Sequence, residues 1–317
     1  MKSKNKQTGS RRARLLLGLL LLVFAGCAAA CGKKEVSVPE VDYSVKGARD
    51  NTPRVQIPME EDAPSGEEVS IDLSHKNEGY LTARYFGDAP RVKLRLTMEG
   101  AKTYTYEITV DGSPTVLPFS SGNGRYLISV LANVEDTLYA DILSVEADVA
   151  LESEFSPFLF PNQYCWFTPE SEAVSTGAFV CGPADDDLSA VTLIYNYVIS
   201  HVTYDWEEAE TVESGYLPDV DEVLSTGRGI CLDYASLMAA MLRSQGIPTR
   251  MEIGYAGTGY HAWITCYITD VGWVNGLIEF DGRSWSMMDP TFAASQGEKK
   301  LRKFIGDGSN YKTVYLY

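Results

Sequence analysis

The spacing of hydrophobic residues changes along this chain, and the first clear pattern is a period of two. Apolar residues alternate with polar ones in the runs 92–98 and 104–110, and glycine, asparagine, aspartate and proline separate such runs. This alternation is typical of half-buried strands, so residues 55–152 are predicted to form a small antiparallel β-sandwich. No group of catalytic residues stands out there. The expected role is a spacer or packing partner, with carbohydrate or peptide binding as the alternative.

A helical period replaces the alternation in the second half, residues 153–317. The acidic run Asp185–Asp187 comes just before apolar residues three or four positions apart: Leu188, Val191, Tyr195, Val198 and Val202. Acids favour the positive end of a helix dipole, so the run predicts a helix start. The run lacks the spaced ligands of a calcium loop. Strands and helices that follow one another in this way indicate an α+β fold.

The N-terminus has the order of a secretory signal peptide. Basic residues precede the apolar run 15–25, and small residues ending in cysteine follow it. The run has 11 residues, whereas a bilayer span needs about 20. Residues 1–31 are similar to bacterial lipoprotein signals, which implies lipid modification of Cys31 (or Cys27). We therefore expect a flexible tether over residues 32–54 and anchoring to the outer face of the bacterial cell membrane.

The charge of the chain restricts its partners. The formal net charge is −16, and loss of the signal would leave 21 basic residues against 43 acidic ones. Such an acidic surface argues against nucleic acid as a partner. The 45% hydrophobic content is that of an ordinary globular protein.

Cys231 is the strongest candidate for a chemically active residue. Gly227 and Gly229 precede it, a helical stripe of apolar residues follows it, and Gly246 with Pro248 ends the pattern. The pattern predicts Cys231 in the first turn of a helix, where free N–H groups and the helix dipole favour a thiolate and can stabilise an oxyanion. The alternative is a small core residue.

Two further residues are candidates for the same site. His261 lies in an alternating run that predicts a strand, on the face opposite Cys266, which is interpreted as a buried structural thiol. Asp289 stands before a proline at the predicted end of another strand, where a carboxylate can orient an imidazole. Taken singly, His261 is also consistent with a packing residue and Asp289 with a turn. Pairing of Cys165 with Cys181 stays open, as nothing in the sequence fixes it.

Several motifs together resemble the transglutaminase-like domain of the papain-like cysteine protease and transglutaminase superfamily. The resemblance covers roughly residues 160–317. It rests on the segments 202–205, 217–227, 229–235, 242–243, 246–248, 260–263, Trp285 and 288–291. It implies a catalytic helix packed on an antiparallel sheet, with Cys231 as nucleophile, His261 as base and Asp289 as its orienting partner. It implies no cofactor.

The implied function is a cell-surface thiol enzyme that acts on peptide or glutamine side-chain amides through an acyl-thioester. Water as acceptor would make it a protease or deamidase, and an amine would make it a transglutaminase. The partner expected is a protein or peptide, cell-wall peptide included. The side-chain donor of the oxyanion hole stays open, with Ser225, Tyr204 and Trp206 considered. The alternative from another class is a non-catalytic surface module that keeps the fold for binding; a metal site of Cys231 and His261 would need more ligands.

Overall fold

The computed structural model describes residues 40–61, 66–213, 215–269, 271–275, 277–280, 285–288 and 311–317. The predicted signal peptide with Cys27 and Cys31, and Asp289, lie outside these ranges. Within them, no helix is long and apolar enough to cross a membrane.

The N-terminal half contains two antiparallel sheets. Their strands are β1 (Val69–Asp72), β2 (Tyr80–Tyr85), β3 (Val92–Met98), β4 (Tyr104–Ile108), β5 (Thr115–Pro118), β6 (Gly124–Glu135) and β7 (Leu138–Val149). One sheet has the order β1-β2-β5 and the other β4-β3-β6-β7. Alternate residues of β3 and β4 are buried, as the period-two pattern predicts. Phe119, just after β5, packs against Tyr126 of β6 with ring centroids 4.8 Å apart, which joins the two sheets.

The C-terminal half begins with helices and ends with strands. The helices are α1 (Glu172–Val180), α2 (Asp187–His201), α3 (Trp206–Thr211), α4 (Val220–Thr226) and α5 (Cys231–Ser244), with the short strands β8 (Thr203–Tyr204) and β9 (Arg228–Gly229) between them. The later strands are β10 (Thr249–Ala256), β11 (Gly259–Ile268), β12 (Gly272–Asn275), β13 (Leu277–Phe280), β14 (Trp285–Met288) and β15 (Tyr311–Leu316). The sheet β12-β11-β10-β15 is antiparallel, and α5 packs on β10 and β11. This mixture of helices and antiparallel sheets confirms the predicted α+β class.

The acidic run before α2 forms the helix cap that the sequence predicts. The Asp186 carboxylate accepts a hydrogen bond from the backbone N–H of Ser189 at 2.8 Å. Asp187 begins the helix and pairs with the Arg49 guanidinium at 2.8 Å. The run therefore ends a loop and starts a helix through ordinary capping.

Arg49 belongs to the predicted flexible tether, and its contacts differ from that prediction. Its guanidinium also donates to the backbone oxygen of Gln245 at 2.7 Å. Asn51 donates to the Cys181 oxygen at 2.6 Å, and the Gly47 N–H donates to Gly182 at 2.8 Å. Residues 47–54 therefore lie against the helical half, because they donate hydrogen bonds to backbone oxygens there. The other domain boundaries stay predictions.

Candidate active site

Helix α5 begins at Cys231, as the sequence predicts, and its sulfur-bearing side chain is half-buried. The Asp233 carboxylate accepts a hydrogen bond from the Ile230 N–H at 2.7 Å, which closes the helix start. Ten residues later Arg243 is buried near the other end of the helix. The helix ends where Gly246 adopts a φ of 73°, the left-handed conformation that favours glycine.

The first turn of α5 offers free hydrogen-bond donors. The backbone N–H groups of Cys231 and Leu232 have no intrahelical acceptor, since they precede the first i to i−4 bond. Within the described ranges, neither N–H donates to another group. Two donors beside a half-buried sulfur are the arrangement that stabilises a developing oxyanion.

His261 lies in β11, the strand that packs on α5, opposite Gly254 of β10. It is only 9% exposed, and its ring lies 6.3 Å from that of Trp263. The preceding residue, Tyr260, connects this strand with the helix start electrostatically. Burial raises the pKa of Tyr260, and the nearby tyrosines and Cys231 raise it further. The strand that carries His261 therefore packs on the helix that begins at Cys231.

The third predicted residue, Asp289, lies outside the described residues. Strand β14 ends at Met288, immediately before it, and pairs with β13 in an antiparallel register. The strand that the sequence predicts ahead of this aspartate is therefore present.

A comparison with known families covers part of the C-terminal half. Residues 176–276 match the family model of the transglutaminase-like superfamily. Over these residues the chain is similar to the transglutaminase-like superfamily. The match includes Cys231 and His261 and ends before Asp289.

Individual relatives are distant. The chain is 25% identical to the UPF0252 protein MJ1282 of Methanocaldococcus jannaschii over 228 residues, which are 65% of this chain and 63% of that protein. The match therefore spans less than two thirds of that relative. The periplasmic domain of TgpA from Pseudomonas aeruginosa is similar at 17% identity over 70% of this chain and 92% of that one, with a TM-score of 0.33. Red sea bream transglutaminase is similar at 13% identity over 68% and 50%, with a TM-score of 0.30.

The four described thiols of the C-terminal half fall into two kinds. Cys165, Cys181 and Cys266 are buried, and burial raises the pKa of these thiols to about 11, 12 and 12. All three are free, so Cys165 and Cys181 do not form a disulfide here. Cys266 is 1% exposed, which agrees with its interpretation as a structural thiol. Cys231 alone among these four described cysteines is half-buried rather than buried.

The sequence missed the role of Asp233. Its side chain is fully buried and accepts hydrogen bonds from the Ile230 N–H and the Tyr216 hydroxyl, both at 2.7 Å. Burial raises its pKa to about 6; the two hydrogen bonds oppose the rise, whereas Glu208 and Glu222 add to it. A carboxylate two residues after a helix-starting cysteine is the signal that would have pointed to this cap.

Asp233 also lines an acidic cavity of about 520 Å³. Its walls include Asp205, Glu208, Asp219, Glu222 and Arg228, and Arg228 pairs with Asp205 at 2.8 Å. Among the described residues, no group of three or more His, Cys, Asp or Glu side chains has the arrangement of a metal site.

The three candidate side-chain oxyanion donors have different surroundings. The Ser225 hydroxyl donates to the Glu222 oxygen at 3.0 Å within α4, so it is already used. Tyr204 pairs with Gly229, two residues before Cys231, in the short parallel β8–β9 ladder. Its ring lies 4.6 Å from that of Trp206, which is 59% exposed. Tyr204 and Trp206 therefore lie near the start of α5. Ser225 is the weakest candidate for the oxyanion donor, because its hydroxyl is already engaged.

Proposed function

We propose that this protein is a thiol enzyme that cleaves or transfers amide bonds through an acyl-thioester on Cys231. One observation carries the proposal. Cys231 is a half-buried thiol at a helix start inside the stretch that matches the transglutaminase-like superfamily, whereas the other described thiols of the C-terminal half are buried. His261 supplies the base, and Asp289 supplies the carboxylate that orients it, as the family resemblance implies.

The first half-reaction forms the thioester. His261 takes the proton of the Cys231 thiol and becomes an imidazolium, the sulfur bonds to the amide carbonyl carbon, and the carbonyl oxygen takes the negative charge towards the N–H groups of Cys231 and Leu232. The C–N bond then breaks, and the imidazolium of His261 gives its proton to the departing amine. The products are a free amine and an acyl-thioester.

The second half-reaction releases the acyl group. His261 removes a proton from water or from an incoming amine, whose oxygen or nitrogen bonds to the thioester carbon as the C–S bond breaks. Water yields a carboxylic acid, as in a protease or deamidase, and an amine yields a new amide, as in a transglutaminase. The substrate class we propose is protein or peptide, cell-wall peptide included. The enzyme would meet it at the outer face of the membrane, to which a lipidated Cys31 or Cys27 would anchor the chain.

Selective alkylation tests the reactive thiol. Native protein is treated with iodoacetamide, and the adducts at each cysteine are measured over time by peptide mass spectrometry. We expect Cys231 to react at least roughly tenfold faster than Cys266, because burial disfavours the thiolate at the latter. Equal rates at the two cysteines would refute the proposal.

Two histidine variants separate a catalytic base from a general loss of structure. We expect His261→Ala to slow alkylation of Cys231 near neutral pH and His201→Ala to leave it unchanged. His201 is the matched control, since its ring bonds the Leu224 oxygen at 2.7 Å and stacks on Tyr197 at the C-terminal end of α2. Casein with dansylcadaverine then distinguishes the reactions: dye incorporation indicates a transferase, and ammonia or peptide release without incorporation indicates a hydrolase. Neither product, with Cys231 reactive, would favour the non-catalytic binding module.

A further inference from the structure

The Asp233 carboxylate has both oxygens engaged at the start of the catalytic helix. One oxygen accepts the Ile230 N–H and the other accepts the Tyr216 hydroxyl, each at 2.7 Å. Ile230 is the residue directly before Cys231, so its backbone orientation sets that of the next peptide groups. The carboxylate therefore holds the backbone at the residue before the helix and the candidate oxyanion donors.

Gly229 shows how closely this contact is packed. A β-carbon built on Gly229 would lie 2.6 Å from the Asp233 β-carbon, a distance that real side chains do not adopt. Gly229 also pairs with Tyr204 in the parallel ladder, which restricts its backbone from the other side. The approach of Asp233 to the helix start thus requires glycine at 229, for steric reasons rather than for a special φ.

Tyr216 comes from a different part of the fold than the helix it contacts. It lies in the segment before α4, next to Gly215, whose φ is 94°. A β-carbon on Gly215 would lie 3.4 Å from the Glu107 carboxylate of β4, so this segment lies between the N-terminal sheet and α5. The Tyr216 hydroxyl therefore reaches Asp233 from a segment that is not part of α5.

We propose that Tyr216 and Asp233 are positioning residues for Cys231, which hold the first turn of α5 so that its free N–H groups meet the oxyanion. This inference rests on the proposed function, because it assumes that Cys231 forms tetrahedral adducts. Neither residue touches the substrate. Their effect on the reaction passes through Ile230 and the helix start.

The charge state of Asp233 gives the arrangement a pH dependence. The ionised carboxylate accepts both bonds, whereas the protonated acid must use one oxygen as a donor. The ionisable groups that face it are Tyr216 from the preceding segment, Glu208 from α3 and Glu222 from α4; Arg228 lines the same cavity and pairs with Asp205. Because the Tyr216 hydroxyl lowers the pKa of Asp233 from the value that burial alone would set, its removal moves the titration to higher pH.

A small peptide aldehyde tests the positioning role. The Cys231 thiol adds to the carbon of N-acetyl-glycinal, whose oxygen takes the thiol proton and occupies the oxyanion position, and ¹³C NMR of the labelled aldehyde carbon gives the adduct affinity. Iodoacetamide alkylation, which forms no oxyanion, is measured in parallel on the full chain. We expect Tyr216→Phe to weaken the aldehyde adduct about tenfold, the factor for one hydrogen bond to a charged group, with a much smaller change in alkylation.

Tyr234→Phe is the matched control. Tyr234 follows Asp233 in α5, but its hydroxyl donates to the Val202 oxygen at 2.6 Å and not to the helix start. We expect it to lower stability while leaving the aldehyde affinity and its pH profile unchanged. In Tyr216→Phe the acid limb of the pH profile should move upward, and Asp233→Asn should abolish the part of that limb that belongs to Asp233.

The outcomes separate the two proposals. If wild-type Cys231 forms no adduct and alkylates no faster than Cys266, the proposed function fails. If the wild type forms the adduct but Tyr216→Phe has the same affinity and pH profile as Tyr234→Phe, the positioning role is wrong and the proposed function stands. Equal weakening of adduct and alkylation in Tyr216→Phe would also overturn the positioning role, because it would indicate a merely structural effect.

Discussion

Replacement of Arg243 tests what holds helix α5 in place. This guanidinium is fully buried, and it donates to the backbone oxygens of Thr249 at 3.0 and 2.8 Å, of Phe160 at 2.8 Å and of Tyr317 at 2.8 Å. It therefore joins the C-terminal end of α5 to three separate stretches of chain. Arg243→Met keeps most of the aliphatic volume and removes every one of these donors.

The magnitude follows from the oxygens left behind. The buried carbonyl oxygens of Thr249 and Phe160 lose their donor, and each such loss costs about 1–3 kcal/mol, whereas the Tyr317 oxygen keeps the Met251 N–H at 2.7 Å. Burial lowers the pKa of Arg243, which shows that the charge itself is costly to bury, so part of the loss is recovered when the charge is removed. We expect the free energy of unfolding to fall by about 4 kcal/mol, a large part of the roughly 5–15 kcal/mol of a typical domain.

Urea unfolding followed by tryptophan fluorescence and circular dichroism measures this change. Arg250→Met is the control, because that guanidinium is half-buried and stacks on Trp273, its central carbon 3.5 Å from the ring centroid. Loss of a cation–π contact of this kind costs about 1 kcal/mol. Arg243→Lys should fall between the two, since an ammonium keeps the charge but cannot reach three divergent oxygens as a planar fork. A loss below about 1 kcal/mol in Arg243→Met would refute the reasoning, because it would mean that the Thr249 and Phe160 oxygens find other partners.

Three further changes have defined outcomes. Asp233→Asn should flatten the pH dependence of stability. As the pH rises from the ordinary pKa of 3.8 to the folded value of about 6, the unfolded chain loses the proton first, so the free energy of unfolding of the wild type falls by about 3 kcal/mol. Thermal unfolding from pH 4 to 7 measures this as a difference between the wild type and the variant. Gly229→Ala should lower the melting temperature and slow alkylation of Cys231, whereas Gly259→Ala, with its nearest neighbour 3.8 Å away, should do neither; unchanged Gly229→Ala would contradict the packing argument. Joint replacement of the buried thiols 165, 181 and 266 by alanine should leave Cys231 alkylation intact, as measured by intact-protein mass.

The start of α5 could be predicted because its signals are local. Glycines before Cys231, an apolar stripe and Gly246 after it determine a helix by short-range sterics, and the observed helix agrees at both ends. The helix predicted over 217–227 begins later, at Val220, because buried Pro218 precedes it and the Asp219 carboxylate caps the N–H groups of the next turn.

Contacts between distant parts of the chain could not be predicted. The alternating run around His261 suggests a half-buried strand, yet β11 is buried on both faces from residue 261 to 266 because it lies inside a four-stranded sheet covered by α5. Three contacts join residues that are far apart in the sequence. They are the pairing of β15 with β10, the Tyr216 bond to Asp233 and the bonds of Arg49 to the helical half. The spacing of polar residues does not predict such tertiary hydrogen bonds, so the sequence pattern alone places Arg49 in a flexible tether.

The two buried charged residues of α5 explain why this helix is suited to present a reactive thiol. Asp233 is an acid in the first turn and Arg243 is a base in the last, so each complements the partial charge of its helix end. Each also binds backbone groups outside the helix body, Ile230 at one end and the oxygens near Phe160, Thr249 and Tyr317 at the other. A helix fixed at both ends by buried hydrogen bonds cannot shift along its axis without breaking one of them. The position of Cys231 against β11 is therefore set by the ends of α5 as well as by its apolar face, which is why substitutions at either end should affect the thiol without touching it.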